Sequence, residues 1–307
     1  MHRRAAPIEP VAAARADRPP IAMASSPLRH VSDTALWVAS CRASESERPD
    51  ALFRDPHARR MAGERGVDIL RTLPFAQTMA WSMVVRTAVL DEVILQCVAA
   101  GARTVVNLGA GLDTRAFRLA LPAALRWLDV DLPGMVDYRR DCLRAEPPAC
   151  DHEHVAADLG DPDLRRDLLG SLAAERAPLL ALSEGLLIYL EPEQVGSLAQ
   201  ELHDEAKARW WATDLIRPMA LNTVGRFWQS QLAAAGAPFR FAPEDGGRFF
   251  EPFGWRETAF RSLWEESLRL GRSVPLASFW SSLWNWAPPG AQAALRRTAG
   301  VALLERL

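Results

Sequence analysis

Four acidic residues stand where a parallel-sheet enzyme would use them. Asp113 follows the apolar run "VVNLGAG", Asp131 ends "LRWLDVD", Asp158 follows "HEHVAA" and Glu184 follows "APLLALS". In an open α/β sheet, ligands bind outside the carboxyl ends of the strands. One acid at a strand end is common, but four successive strands delivering one each form a constellation. The first run also passes straight into Gly109-Ala110-Gly111, a turn of the kind that cradles phosphates or holds other adenosine-bearing ligands.

The turn separates two adenosine ligands. A dinucleotide fingerprint requires G-x-G-x-x-G, and Thr114 occupies its third glycine position, so only Gly109 and Gly111 match. No G-K-[ST] ending makes it a Walker loop. Asp131 lies about 20 residues downstream, where an acid accepts hydrogen bonds from ribose hydroxyls of either NAD or S-adenosylmethionine. Asp113, immediately after the glycines, suits a cationic or zwitterionic ligand better than a pyrophosphate. These features favour S-adenosylmethionine, with an NAD-binding Rossmann protein as the remote alternative.

Positioning these acids requires alternating strands and helices. "RTVVNLG", "LRWLDVD", "HEHVAADL", "APLLALSEG" and "ARWWATD" are short apolar or β-branched runs. Between them lie the helix-like stretches "TRAFRLALP", "GMVDYRRDCLRAE", "PDLRRDLLGSLAAE" and "EPEQVGSLAQELHDEA". Apolar character on both strand faces predicts a mostly parallel, doubly wound α/β sheet covered on each side. The first part, residues 31–85, reads as a helical cover: "SDTALWVASCRA", then "DALFRDPHARRMAG" broken by Pro56, then the start of a long helix that stops at Gly101. Residues 86–307 read as the sheet domain, forming one structural unit with the cover. A helix follows at "MALNTVGRFWQSQLAAAG", and "PFRFAPEDGGRFFEPFGWRE" could supply a terminal strand pair. Trp255, Trp264, Trp280, Trp284 and Trp286 read as packing residues before ligand walls.

Composition narrows the class. A chain of 307 residues, 49% hydrophobic and 24% charged, can bury a sizeable core. The net charge of -2 gives no electrostatic grip on nucleic acid or acidic membrane. No apolar stretch approaches the roughly 20 residues of a membrane span. Cys41, Cys97, Cys142 and Cys150 are scattered, as expected of reduced thiols in a cytoplasmic protein. Lys207 is the only lysine, so arginine reflects coding bias as much as choice. Residues 1–30, rich in Ala, Arg and Pro, read as a disordered tail without a signal peptide, and Met23 is an alternative start. The His-x-His of "DHEH" (Asp151–His154) could ligate a metal, but it precedes a strand in an expected loop and shows no third ligand, so no metal is expected. His57 reads as a helix-surface residue rather than a general base.

"VVNLGAGLDTRAFRL", "LRWLDVDLPGMVDYR", "AADLGD" and "SEGLLIYLEPEQV" together resemble the leucine carboxyl methyltransferase-like family, in its bacterial polyketide-type O-methyltransferase branch. The resemblance extends through "SDTALWVASCRA", "DALFRDPHA", "MVVRT" and "FFEPFGW", in order. It implies a seven-stranded class I methyltransferase (Rossmann-like) fold and S-adenosyl-L-methionine as cofactor. Arg86 would pair with the methionyl carboxylate, Gly109 would admit the cofactor's amino-acid portion, and Asp131 would hold the ribose diol. Asp158 and Leu159 would meet the adenine, and Glu184 the amino or sulfonium end. Arg42 aligns loosely with a second cationic contact.

Methyl transfer is an in-line displacement in which alignment provides most of the acceleration, so no catalytic acid or base is assigned. Tyr189 and Arg115 are candidate substrate contacts, although Arg115 could equally bridge to Asp113 or Asp129. A carboxylate acceptor is ionised at neutral pH, whereas a phenol would profit from a base. No histidine lies in the signature segments, which favours a small-molecule carboxylate. A hydroxyl of a secondary metabolite and a protein C-terminal carboxylate are the alternatives.

Overall fold

Thr104–Leu108 forms strand β1, and every residue in it is buried. Val105 faces one apolar layer and Val106 and Leu108 the other, which is why the run reads as continuously apolar rather than alternating. In this computed structural model, residues 32–73, 75–173, 177–222, 233, 238–274 and 288–307 are described. The tail expected at 1–30, most of the helix read at 219–236, and Trp280, Trp284 and Trp286 lie outside the described residues.

The other strands are β2 (Arg126–Asp131), β3 (Asp151–Ala156), β4 (Leu179–Ser183), β5 (Trp210–Ile216), β6 (Trp255–Ser262) and β7 (Ala299–Arg306). They form one seven-stranded sheet in the order β3-β2-β1-β4-β5-β7-β6. The first five are mutually parallel, and β7 runs antiparallel between β5 and β6. The strand count is that of the seven-stranded sheet the resemblance implies. One expectation is corrected: the terminal strand pair does not come from "PFRFAPEDGGRFFEPFGWRE". Only its end, from Trp255, enters β6, and the partner is the C-terminal strand β7. Residues 246–253 form instead a 3-10 turn with Pro252 inside it.

The cover consists of α1 (Ser32–Ser46), α2 (Ala58–Thr72) and the first turns of α3 (Ala76–Ala99). Helices α1 and α2 cross closely because Gly66 has no side chain; a Cβ there would lie 2.6 Å from the Leu36 carbonyl oxygen. The segment before α2 is not helical. Asp55 breaks it by accepting hydrogen bonds from the His57 and Ala58 N–H groups at 3.1 and 3.0 Å, which satisfies two of the helix's orphan donors. Farther along, α3 lays Val85, Val89, Val93 and Ile94 on one sheet face, against Val105, Trp127 and Leu182.

After β1 comes α4 (Arg115–Arg118), a single turn where a longer helix was expected. Pro122 follows, and the extended backbone preferred before proline opposes continuation. Then α5 (Pro133–Leu143) follows β2, while α6 (Pro162–Ala173) and α7 (Pro192–Asp204) pack Leu169, Leu172, Leu198 and Leu202 on the opposite face. Trp255 belongs to that core, its Nε1 donating to the Ala199 carbonyl at 2.9 Å. Two short helices, α8 (Leu263–Arg269) and α9 (Pro289–Arg296), flank the antiparallel end. Among the described residues no helix is long and apolar enough to cross a membrane.

Candidate active site

A cavity of about 1070 Å³ opens over the carboxyl ends of β1, β2, β4 and β5, beneath the helical cover. Arg86, Gly109, Asp131, Asp158, Leu159, Glu184 and Tyr189 all line it. Residues distant in sequence thus converge because parallel strands end on one side of the sheet.

Asp131 ends β2 and turns back under the glycine turn. Its Oδ2 accepts the Gly111 N–H at 2.6 Å and its Oδ1 the Leu132 N–H at 2.7 Å. Burial pushes this carboxyl above its usual range despite those two bonds. Asp158 lies two residues beyond β3, exposed at the cavity edge, and caps its own turn through the Gly160 N–H at 2.8 Å.

Gly109 has φ +64, a conformation that side chains oppose, and a Cβ on it would stand 3.0 Å from Leu186 Cδ1. Gly109→Ala is therefore expected to cost about 1–2 kcal/mol from the left-handed backbone alone. A urea melt of wild type and variant checks this, and an unchanged midpoint would refute it.

The turn is not a phosphate cradle. The N–H groups of Ala110, Gly111, Asp113 and Arg115 are already bonded, to Val130 O, Asp131 Oδ2, Ala110 O and Asp113 Oδ1. A pyrophosphate would find those donors taken and a carboxylate capping the following turn. Asp113 itself is held by Arg115 Nη1 at 2.5 Å and Asn107 Nδ2 at 3.1 Å. Its charge therefore serves the fold, and the preference for a cationic ligand rests on other acids.

Glu184 and Arg86 sit side by side. Arg86 Nε donates to Glu184 Oε1 and its Nη1 to Asp214 Oδ2, both at 2.9 Å. Arg86 Nη2 makes no hydrogen bond among the described residues. Burial would raise the Glu184 carboxyl, but the charges of Arg115 and then Arg86 outweigh it and hold it at about 2. Asp214, which also takes the Gly185 N–H at 2.7 Å, is a further acid, set within β5 just past its pairing with the end of β4, and was missed. Its signal was present, since "ARWWATD" ends in an acid as the earlier strands do.

Several expectations change. Arg115, a candidate substrate contact, is 2% exposed and does not line the cavity; it bridges Asp91, Asp113 and Glu184, and not Asp129. Arg118 pairs with Asp91 through Nη1 and Nη2 at 2.7 and 2.8 Å. Arg42 lines the cavity yet donates to Asp55 Oδ2 at 2.9 Å and the Leu112 carbonyl at 2.5 Å. His57 is buried, its ring edge-on to Phe117, and is no surface histidine. Trp264 lines the cavity, where packing was expected to come first.

"DHEH" lies within β3 rather than in a loop, and register places His154 beside Asp129. Asp129, His152 and His154 do bring three ligand atoms within 4.8 Å of one another. The Asp129 carboxylate is nevertheless saturated: Asn107 and Trp127 donate to Oδ1, His152 and Arg139 bond Oδ2. Arg139 holds the place a cation would take, so the cluster carries no metal assignment. Burial and then the Arg139 charge push the His154 imidazole down to about 4.

The leucine carboxyl methyltransferase family model matches residues 35–203. A Streptomyces coelicolor protein, provisionally named as an S-adenosyl-L-methionine-dependent methyltransferase, is 34% identical over 262 residues, covering 78% of this chain and 88% of that protein. A Frankia alni protein of the same provisional name is 35% identical over 259 residues, covering 78% and 87%. Among solved structures, a DUF574-family protein from Streptomyces avermitilis superposes with a TM-score of 0.57 at 15% identity, covering 92% of this chain and 99% of that one. A provisionally named methyltransferase from Thermobifida fusca gives 0.54 at 17%, covering 91% and 96%. At such identities the two structures bear on the fold alone.

Proposed function

This chain belongs to the leucine carboxyl methyltransferase family, and from that premise we propose that it forms methyl esters on a carboxylate of a small, polyketide-like molecule. It is an S-adenosyl-L-methionine-dependent methyltransferase. The carboxylate acceptor rests on one observation: among the described residues, no histidine or lysine lines the cavity. The lining acid Glu184, held at about 2, is a poor base. A carboxylate requires none, because it is already ionised at neutral pH.

The residues present fit the cofactor. Gly109 leaves room at the turn, and each Asp131 oxygen keeps a lone pair beside its backbone bond for a ribose hydroxyl. Asp158 and Leu159, which line the same cavity, would meet the adenine. Arg86 Nη2 would receive the methionyl carboxylate, and Glu184 with Asp214 the ammonium. Bound there, the cofactor supplies an electrophilic methyl group on a sulfonium. The chain's own contribution is alignment and exclusion of water.

The cavity, at about 1070 Å³, is at the top of the size range of small-ligand sites, about 300–1,000 Å³. Its remaining wall includes Trp37, Met79, Trp81, Phe241 and Trp264, apolar surface suited to a bulky acceptor, with Tyr189 at its edge.

A labelled-methyl assay on host metabolite extract tests the proposal. Label released as methanol by mild base marks an ester; base-stable label marks an ether and overturns the carboxylate. Label only in protein would favour a C-terminal carboxylate instead. Calorimetry should show binding of S-adenosylhomocysteine and none of NAD.

A further inference from the structure

Arg115 stands at the centre of a buried chain of alternating charges that links the helical cover to the sheet. From the cover, Arg42 pairs with Asp55, which lies 3.9 Å from Arg118, and Arg118 pairs with Asp91 of α3. Arg115 then bonds Asp91 through Nε at 2.6 Å and Glu184 Oε2 through Nη1 at 2.7 Å. Arg86 continues from Glu184 Oε1 to Asp214. With Asp91 and Asp113 also gripping it, the Arg115 guanidinium cannot swing, and none of its atoms is needed by a ligand.

We propose that Arg115 is a positioning residue of the cofactor site, holding the Glu184 carboxylate ionised and oriented for the cofactor's ammonium group. This rests on the reading of Glu184 given above. The groups facing Glu184 are Arg115 of α4, Arg86 of α3 and Arg42 of α1, with Asp214 of β5 and the Tyr189 phenol across Arg86, and Asp91 and Asp113 across Arg115. Arg115 is the first of the charges that offset Glu184's burial. Without it, desolvation drives the carboxyl upward and the ammonium loses its anion at mildly acid pH.

The test is calorimetric affinity for S-adenosylhomocysteine from pH 8 to pH 5. Wild type sets the reference profile: Glu184 stays ionised throughout, and any loss on acidification comes from Asp131, whose carboxyl burial raises. Arg115→Gln should bind more weakly at pH 8 and lose up to about tenfold more than wild type per pH unit below its raised Glu184 value. Arg115→Lys should restore the wild-type profile, and Arg118→Gln, which leaves Glu184 untouched, should keep it. In turnover the loss should appear in cofactor KM rather than kcat. A profile for Arg115→Gln no steeper than wild type, or the same added slope in Arg118→Gln, overturns the proposal. Should Arg115→Gln fail to fold, a wild-type loss between pH 8 and pH 5 that Glu184→Gln abolishes overturns it equally, because Glu184 would then titrate in that range. Wild type that never binds S-adenosylhomocysteine removes the site reading itself, and this inference with it.

Discussion

Asp131→Ala is expected to weaken S-adenosylhomocysteine binding by about 100-fold or more while leaving a folded protein. Two charge-assisted hydrogen bonds to a ribose diol contribute about 1.5–3 kcal/mol each, and every 1.4 kcal/mol is about tenfold in affinity. The same substitution frees the Gly111 and Leu132 N–H groups, so the glycine turn loosens and the loss should not fall below that of the ribose bonds alone. Asp131→Asn keeps one acceptor and should lie between. Because burial raises the Asp131 carboxyl, ionising it opposes the apo fold. Both variants should therefore lose less melting temperature than affinity. Affinity within about threefold of wild type would remove Asp131 from the site.

Asp129→Ala should have the opposite signature, a large loss of stability. Asp129 is buried and holds Asn107, Trp127, Arg139 and His152 at once. Removing it strands a buried guanidinium, and breaking a buried pair from one side costs about 3–5 kcal/mol. Burial alone would raise this carboxyl, but the charge of Arg139 and the His152 hydrogen bond hold it below the usual range. A depressed folded value stabilises above the unfolded carboxylate value and is lost as pH falls through the folded one. The gap between wild type and Asp129→Ala in a urea melt should thus be full at pH 7 and shrink on acidification. An equal gap at pH 7 and pH 3 would contradict this account.

Much of the site was legible because its chemistry lies at strand ends. Asp131, Glu184 and Asp214 are local features of short apolar runs, and the parallel topology that gathers them follows from the same runs. What failed to show was partnership. Nothing in "GLDTR" states whether Asp113 faces a ligand or Arg115, since Arg115 is held at the same time by Asp91 of α3 and by Glu184, both remote in sequence. "DHEH" looked like a loop because the exposed Asp151 and Glu153 alternate with the histidines on an edge strand. The exchange of β6 for a local hairpin was equally unreadable, because its partner lies at the far end of the chain.

The sequence by itself therefore determined the alternation of the five parallel strands with their helices, the strand-end acids and the glycine turn. All of these depend on periodicity or on residues within one connection of each other. Only the tertiary structure decided which charges are available to a ligand. Ten charged residues from the cover and the strand ends (Arg42, Asp55, Arg86, Asp91, Asp113, Arg115, Arg118, Asp131, Glu184 and Asp214) lie within or beside one buried region. In such a low-dielectric place a charge must be paired or hydrogen-bonded. The pairing set there keeps Arg115 and Arg118 out of the cavity wall and ties Arg42 and Asp113, which line it, to protein partners; Arg86, Asp131, Glu184 and Asp214 line it as well.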